Sequence, residues 1–271
     1  MFADFDSHRA GDGRLAWDDL VQGIGCWRLW GAMAWQDVRN RYRRSLLGPL
    51  WLTLSTAILA CSLALVYGRI FGISLPDYLG YLCISLAVWS LMSSALIDGC
   101  NAFLTSEHTI KHIKIPYFAY VLRSIWRNLI IFFHNIIVFV VVIALFDEWP
   151  GFIGLLFIPG IALLLMNIAW ISVFLGVACS KFRDIPPIMA NAMQLFFLVT
   201  PIMWKPEALG DQRELILFNP VYHLLEICRA PLLGTMPTTL NWMVSIAAAS
   251  LGTAVTFLLY ARFRRMIAYW L

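Results

Sequence analysis

Arg39, Arg41, Arg43 and Arg44 place four guanidinium groups within six residues. Arginine's planar fork binds phosphate through paired hydrogen bonds, so this group suits either a phosphorylated ligand or the anionic surface of a lipid leaflet. A second polar group, Glu107, His108, Lys111 and Lys114, lies in LTSEHTIKHIKIPY between two apolar runs. Inside or near the ends of apolar runs are His134, Asn135 and Asp98. The first two suit hydrogen bonding between helices, and Asp98 suits an interface, where its carboxylate reaches water. Much chemistry is missing. The chain has no G-x-x-x-x-G-K-[ST], no H-E-x-x-H, no G-x-S-x-G and no carboxylate pair within an apolar run, which argues against nucleotide hydrolysis and intramembrane catalysis by this chain. Six cysteines without a C-x-x-C pair suggest neither a disulfide framework nor a metal site. Nucleic-acid binding would need clustered basic residues on a soluble face, and none is found.

The arginine group belongs to WRLWGAMAWQDVRNRYRRSLLGPLW, residues 27–51. At 100° per residue Trp27, Trp30, Ala34, Trp35, Val38 and Tyr42 share one face, and Gln36, Arg39, Asn40 and Arg43 lie opposite. This pattern predicts an amphipathic helix lying in a membrane surface, with tryptophans at headgroup depth and arginines toward anionic lipid, ended by Gly48-Pro49. With 61% hydrophobic and only 13% charged residues, against about 25% charged in soluble domains, the composition is that of an integral membrane protein. The first 25 residues mix acids and arginines without an apolar core and carry no cleavable signal, so the amino terminus is expected to stay in the cytoplasm.

The expected fold is all-α: a cytoplasmic segment (1–26), an interfacial helix (27–47), a six-span membrane domain (48–261) and a cytoplasmic tail (262–271). The spans fall at about 50–71, 78–101, 125–146, 152–179, 188–203 and 240–260, each read against a hydrocarbon core of about 30 Å. Thr105 to Ile115 is expected as a short loop helix ended by Pro116. The span at 152–179 is long and holds Pro159-Gly160, so it should open with a separate turn. Between Trp204 and Thr239 two apolar pieces are too short to cross and carry Glu214, Glu226 and Arg229; they suit shallow or re-entrant helices. With both termini inside, sixteen of the twenty Lys and Arg fall on the inner side and only Arg69, Lys205, Arg213 and Arg229 outside, as the positive-inside rule requires.

Three ordered stretches resemble one family, the membrane subunits of ABC-type polysaccharide exporters that carry O-antigen, capsule or teichoic-acid chains. They are QDVRNRYRRSLLGPLW (36–51), HIKIPYFAYVLRSIWRNLIIFFHN (112–135), and SKFRDIPPIMANAMQLFFLVTPIMW (180–204) followed by NPVYHLLEICRAPLLG (219–234). Where the family usually has R-D at its entry motif, this chain has Gln36-Asp37. The resemblance implies a homodimer in the bacterial inner membrane working with two copies of a separate cytoplasmic ATPase, which would bind ATP and Mg, with no cofactor in this chain. It implies coupling to that ATPase through the interfacial helix and the loop helix. Glu107, His108, Lys111 and Lys114 are the candidate contacts, the alternative being solvated charges on an inner loop. A lipid-linked polysaccharide has a diphosphate at its undecaprenyl anchor, so Arg39, Arg41, Arg43 and Arg44 are candidates to receive it, against the simpler role of setting topology. Tyr67, Tyr81, Trp89, Phe196, Phe197 and Trp204 are candidates to line a sugar channel, against ordinary anchoring and packing. The rival readings are an ABC exporter of a smaller lipid or drug and a partner-independent carrier.

Overall fold

The computed structural model describes residues 2–43, 50–147 and 149–271. Arg44, the predicted helix end at Gly48-Pro49, and Glu148 lie outside the described residues. The helices are α1 (Phe2–Gly25), α2 (Trp27–Tyr42), α3 (Leu50–Phe71), α4 (Leu75–Asn101), α5 (Glu107–His112), α6 (Tyr117–Phe146), α7 (Phe157–Lys181), α8 (Ile185–Val199), α9 (Pro220–Leu232), α10 (Thr239–Phe263) and α11 (Ile267–Trp270). Tighter 3-10 turns cover Leu104–Ser106, Gly151–Leu156, Pro206–Phe218 and Arg264–Met266. Among the described residues five helical stretches are long and apolar enough to cross a bilayer: Thr53–Phe71, Leu75–Asn101, Tyr117–Phe146, Gly151–Lys181 and Thr239–Trp270. The apolar helix α8 has 15 residues, short of the ~20 that a perpendicular crossing takes.

The centre of the packing is α4. From Tyr78 to Trp89 every residue is buried, because α3, α6, α7, α8 and α9 surround it. It begins at Leu75, three residues before the apolar run suggests, since the Ser74 hydroxyl caps the amide of Asp77 and Pro76 fits the first turn. Helix α6 starts eight residues before the predicted span, at Tyr117, where Pro116 sets the entry. Its 30 residues reach about 45 Å, longer than the hydrocarbon core, so its first turns carry Arg123 and Arg127 at the polar boundary. The turn expected before the fourth span is present as the 3-10 segment Gly151–Leu156. Helix α8 stops at Val199 rather than continuing to Met203, because Thr200 turns extended and Pro201 follows.

In α2 the predicted apolar face divides. Ala34 and Val38 are buried against α6 and Trp30 packs edge-on to Trp126 at 5.8 Å, whereas Trp27 and Trp35 are exposed. The arc is wider than one neighbour can cover, so its edge stays at the surface. Helix α1 repeats the arrangement: Ala16, Asp19 and Gly23 face inward, while Trp17, Val21 and Ile24 form an exposed stripe at i, i+4, i+7.

Candidate functional site

One cluster joins α2, α4 and α6. Asp37 of α2 accepts from Arg123 Nε at 2.8 Å and Nη2 at 2.6 Å, and from Arg127 Nη1 at 3.4 Å. Arg127 Nη2 also reaches Asp98 of α4 at 2.6 Å, and Asn128 donates to the same carboxylate at 2.6 Å. Charges alternate through two carboxylates and two guanidinium groups, all partly shielded from solvent. Each pair at that exposure contributes at most about 1 kcal/mol; the value of the arrangement lies in shared partners that fix three helices in one register. The cluster borders a polar cavity of about 160 Å³ reached by Asn101, Thr105 and Tyr120, where the chain turns toward α5. Asp37 carries this geometry while Gln36, the departure from R-D, is exposed. The sequence placed Asp98 at an interface and Arg123 and Arg127 on an inner flank, but contained no signal joining the two arginines to Asp37, 86 and 90 positions away.

Arg39 and Arg41 are exposed on α2, and Arg43 is exposed just past its end. Arg39 and Arg43 lie four apart and share a face, while Arg41 points to the other side of the helix, so the structure brings two of the candidate arginines together. All three sit near the carboxyl end of α2, where the helix dipole favours cations.

In the loop, α5 is a six-residue helix. Glu107 and Lys111 pair at 2.6 Å, and this contact holds the Glu107 carboxyl below its ordinary range. His108 stacks on His112 with centroids 4.4 Å apart, a partner the sequence reading omitted, and Lys114 lies exposed beyond the helix end.

The six candidate channel aromatics form no single wall within the chain. Tyr67 stacks on Phe71 along α3. Trp89 is buried and meets Phe197 at 5.8 Å, joining α4 to α8, with Phe196 half-buried beside it. Tyr81 is buried and belongs to a polar cluster with the segment after α8: its hydroxyl reaches the carbonyls of Pro201 at 2.7 Å and Trp204 at 2.9 Å. The Trp204 indole donates to Leu198 O at 3.3 Å.

Arg229 of α9 completes that cluster. Although 1% exposed, it donates to Tyr81 Oη at 2.7 Å, Ser85 Oγ at 3.2 Å and Pro201 O at 2.5 Å, pairs with Glu226, and stacks over the Tyr81 ring. Burial is the largest influence and opposes its charge, but Glu226, Tyr81 and Tyr222 together offset it and hold its pKa above the ordinary arginine value. The available signal was Glu226 and Arg229 three apart on a helix within otherwise apolar HLLEICRAPLL. Close contact of α9 with α7 needs Gly160, because a Cβ there would overlap the Ile227 carbonyl.

The family model described as "ABC-2 type transporter" matches residues 28–233. The chain belongs to the ABC-2 type transporter family. Such a permease is a multi-pass membrane protein that operates with an ABC ATPase. The chain is 23% identical over 194 residues to an O-antigen export system permease protein RfbA of Myxococcus xanthus, covering 70% of this chain and 74% of that protein. Two proteins of the same name from Klebsiella pneumoniae are 22% and 21% identical over 192 residues, with the same coverage. The part matched to the ABC-2 family contains α2 through α9, and with it both the Asp37 bridge and the Arg229 cluster.

A third cluster ties this ABC-2 core to the segments outside the match. Asp19 of α1, 2% exposed, accepts from the amides of Tyr117 and Phe118 at 3.1 Å each, from Tyr260 Oη at 2.6 Å, and from Arg264 Nε and Nη2 at 3.1 and 2.7 Å. One carboxylate thus caps α6 and neutralises the end of α10. The sequence read Asp19 as one of several acids in a terminal segment; only contacts nearly 100 and 250 positions away distinguish it from Asp18, which is exposed.

Proposed function

We propose that the chain is the permease subunit of an ATP-driven exporter that moves lipid-linked polysaccharide of the O-antigen kind from the cytoplasm to the far side of the bacterial inner membrane. The observation that carries this reading is the family match across α2–α9 together with relatives whose names are O-antigen export permeases. In this reading the subunit crosses six times, with α8 as the short fifth span, both termini cytoplasmic, and the segments between α8 and α10 shallow at the outer mouth. A second copy covers the apolar residues left exposed on α3 and α8, among them Ile58, Leu65, Leu195 and Leu198. Two cytoplasmic ATPase subunits bind ATP and Mg and push on α2 and α5. Arg39 and Arg43, on one face of α2, receive the diphosphate of the undecaprenyl anchor. The Asp37 bridge supports this mechanism because it links α2 to α4 and α6 beside the loop that leads to α5.

The test is ATPase activity of the chain co-purified with its ATPase in lipid, with and without a lipid-linked glycan. The expected result is glycan-stimulated hydrolysis that is lost in the Arg39→Ala, Arg43→Ala double variant while the complex stays assembled. Failure of any ATPase to copurify, or stimulation unchanged in that variant, overturns the assigned roles.

A further inference from the structure

Helix α5 is too small to hold its own place. It has six residues and no fully buried side chain, and a helix of that length is marginal in water unless tertiary packing fixes it. The chain joins it to α4 through the 3-10 turn Leu104–Ser106 and to α6 through residues 113–116. Beyond that turn, the main element packed against α5 is α11, more than 150 positions away, and α11 packs on α7 as well.

Helix α11 has two faces. Ile267 and, four positions on, Leu271 share the inner face and are buried, whereas Tyr269 is 82% exposed. Ile110 of α5 and Ile115 beyond its end rest half-buried on the same apolar cluster to which Ile267 and Leu271 belong. The turn between α7 and α8 closes the arrangement. Arg183 donates to the Leu271 carbonyl at 3.4 Å, and its charge reaches Glu107, where it adds to the pull of Lys111 on that carboxyl. Lys181, at the end of α7, lies 5.5 Å from the Trp270 ring, and Trp270 meets Phe263, at the end of α10, with centroids 5.7 Å apart. Helix α5, the α7–α8 turn and the end of α10 thus converge on residues 267–271.

Displacement passes between distant parts of a protein through packed side chains and rigid elements. A movement of α5 carried only by its connections along the chain would reach α4 and α6. We propose that α11 is a strut that carries it further: Ile267 and Leu271 are positioning residues that hold α5 against the inner ends of α7 and α10, so that a push on α5 also moves those spans and the start of α8. The proposal rests on the exporter reading, in which an ATPase pushes on α5, and adds the route by which that push reaches the second half of the chain.

The experiment has two arms, both on the full chain. The first is hydrogen exchange of the permease without its ATPase. Ile267→Ala empties a buried position and should accelerate amide exchange in residues 107–115 by roughly tenfold, with α4 and α6 unchanged. The second is the permease with its ATPase in lipid vesicles, read as glycan exported per ATP hydrolysed. That ratio should fall about fivefold in Ile267→Ala, a typical effect of a residue along a coupling route, while the amount of ATPase recovered stays the same. Ile267→Val should restore both readouts, and Tyr269→Ala, on the exposed face of the same helix, should behave as wild type. If Ile267→Ala does not fold, Leu271→Ala at the edge of the same face should show both effects.

Unchanged exchange in α5, acceleration spread equally over the spans, or an unchanged export ratio despite a loosened α5 would each overturn the strut. Loss of ATPase from Tyr269→Ala would also overturn it and make α11 a docking surface instead. Failure of the exporter reading has a different signature: the wild-type chain retains no ATPase, before any variant is compared, while the exchange arm still reports whether α11 holds α5.

Discussion

Replacing Asp19 by alanine strips Arg264 of its carboxylate partner, two α6 amides of their cap and Tyr260 of its acceptor. Breaking a buried ion pair by removing one partner costs about 3 to 5 kcal/mol. Arg264 keeps 24% of its side chain exposed and can regain water, so the low end, about 3 kcal/mol, applies. That loss should fall on the docking of α1. Amide exchange in α1 should accelerate by roughly a hundredfold, and the melting temperature in detergent should drop by about 6 to 12 °C if α1 and the spans unfold together. Asp19→Asn should do nearly as badly, because the new NH₂ group would face donors whichever way it turns: an amide and Arg264 on one side, an amide and the Tyr260 hydroxyl on the other. Removing the abandoned charge as well, in Asp19→Ala with Arg264→Met, should recover about half of the loss. The assay is hydrogen exchange followed by peptide mass analysis, with the melt as a second readout. Unchanged exchange in α1 for both single variants, or an equally large loss when Arg264 is already methionine, would refute the clamp.

Arg229→Ala should leave Glu226 and the Pro201 carbonyl without their partner and loosen α9 from α4; Cys228, fully buried in the native protein, should then react with a maleimide that spares it in wild type, while Tyr81→Phe should cost only about 1 kcal/mol. Gly160→Ala should destabilise by about 1 to 3 kcal/mol because its methyl overlaps the Ile227 carbonyl, whereas Gly13→Ala, with open space around it on α1, should be neutral or stabilising by up to about 1 kcal/mol in a thermal melt. Asp37→Arg should reduce export at least tenfold by placing three cations together, and the exchanged pair Asp37→Arg with Arg123→Asp should recover much of it in a transport assay. Lys111→Ala should leave the melting temperature unchanged, since its pair with Glu107 is exposed, yet lower the amount of ATPase recovered with the permease.

The apolar runs, their lengths and the charges at their ends were legible in the sequence because insertion into a bilayer is decided by local composition, window by window. The ordered motifs from residue 36 onward carried the family, and the 3-10 turn before α7 followed from length and Pro159-Gly160. Helix ends were less legible. Tyr117 begins α6 eight residues before the hydrophobic signal because a carboxylate from another helix caps it, and α8 ends early because Pro201 serves a cluster built around Arg229. The partners of Asp19 and Asp37, and those of Arg229 other than Glu226, were decided by tertiary structure alone. In sequence each is one charge among others; what singles out Asp19 and Arg229 is burial against residues far along the chain, where the loss of water makes a matched partner obligatory, and Asp37 is singled out by two arginines that share it at partial exposure. The same holds for the aromatics: their types marked them as wall or anchor, but whether Trp89 faces a neighbouring helix or open space depends on how α8 lies across α4.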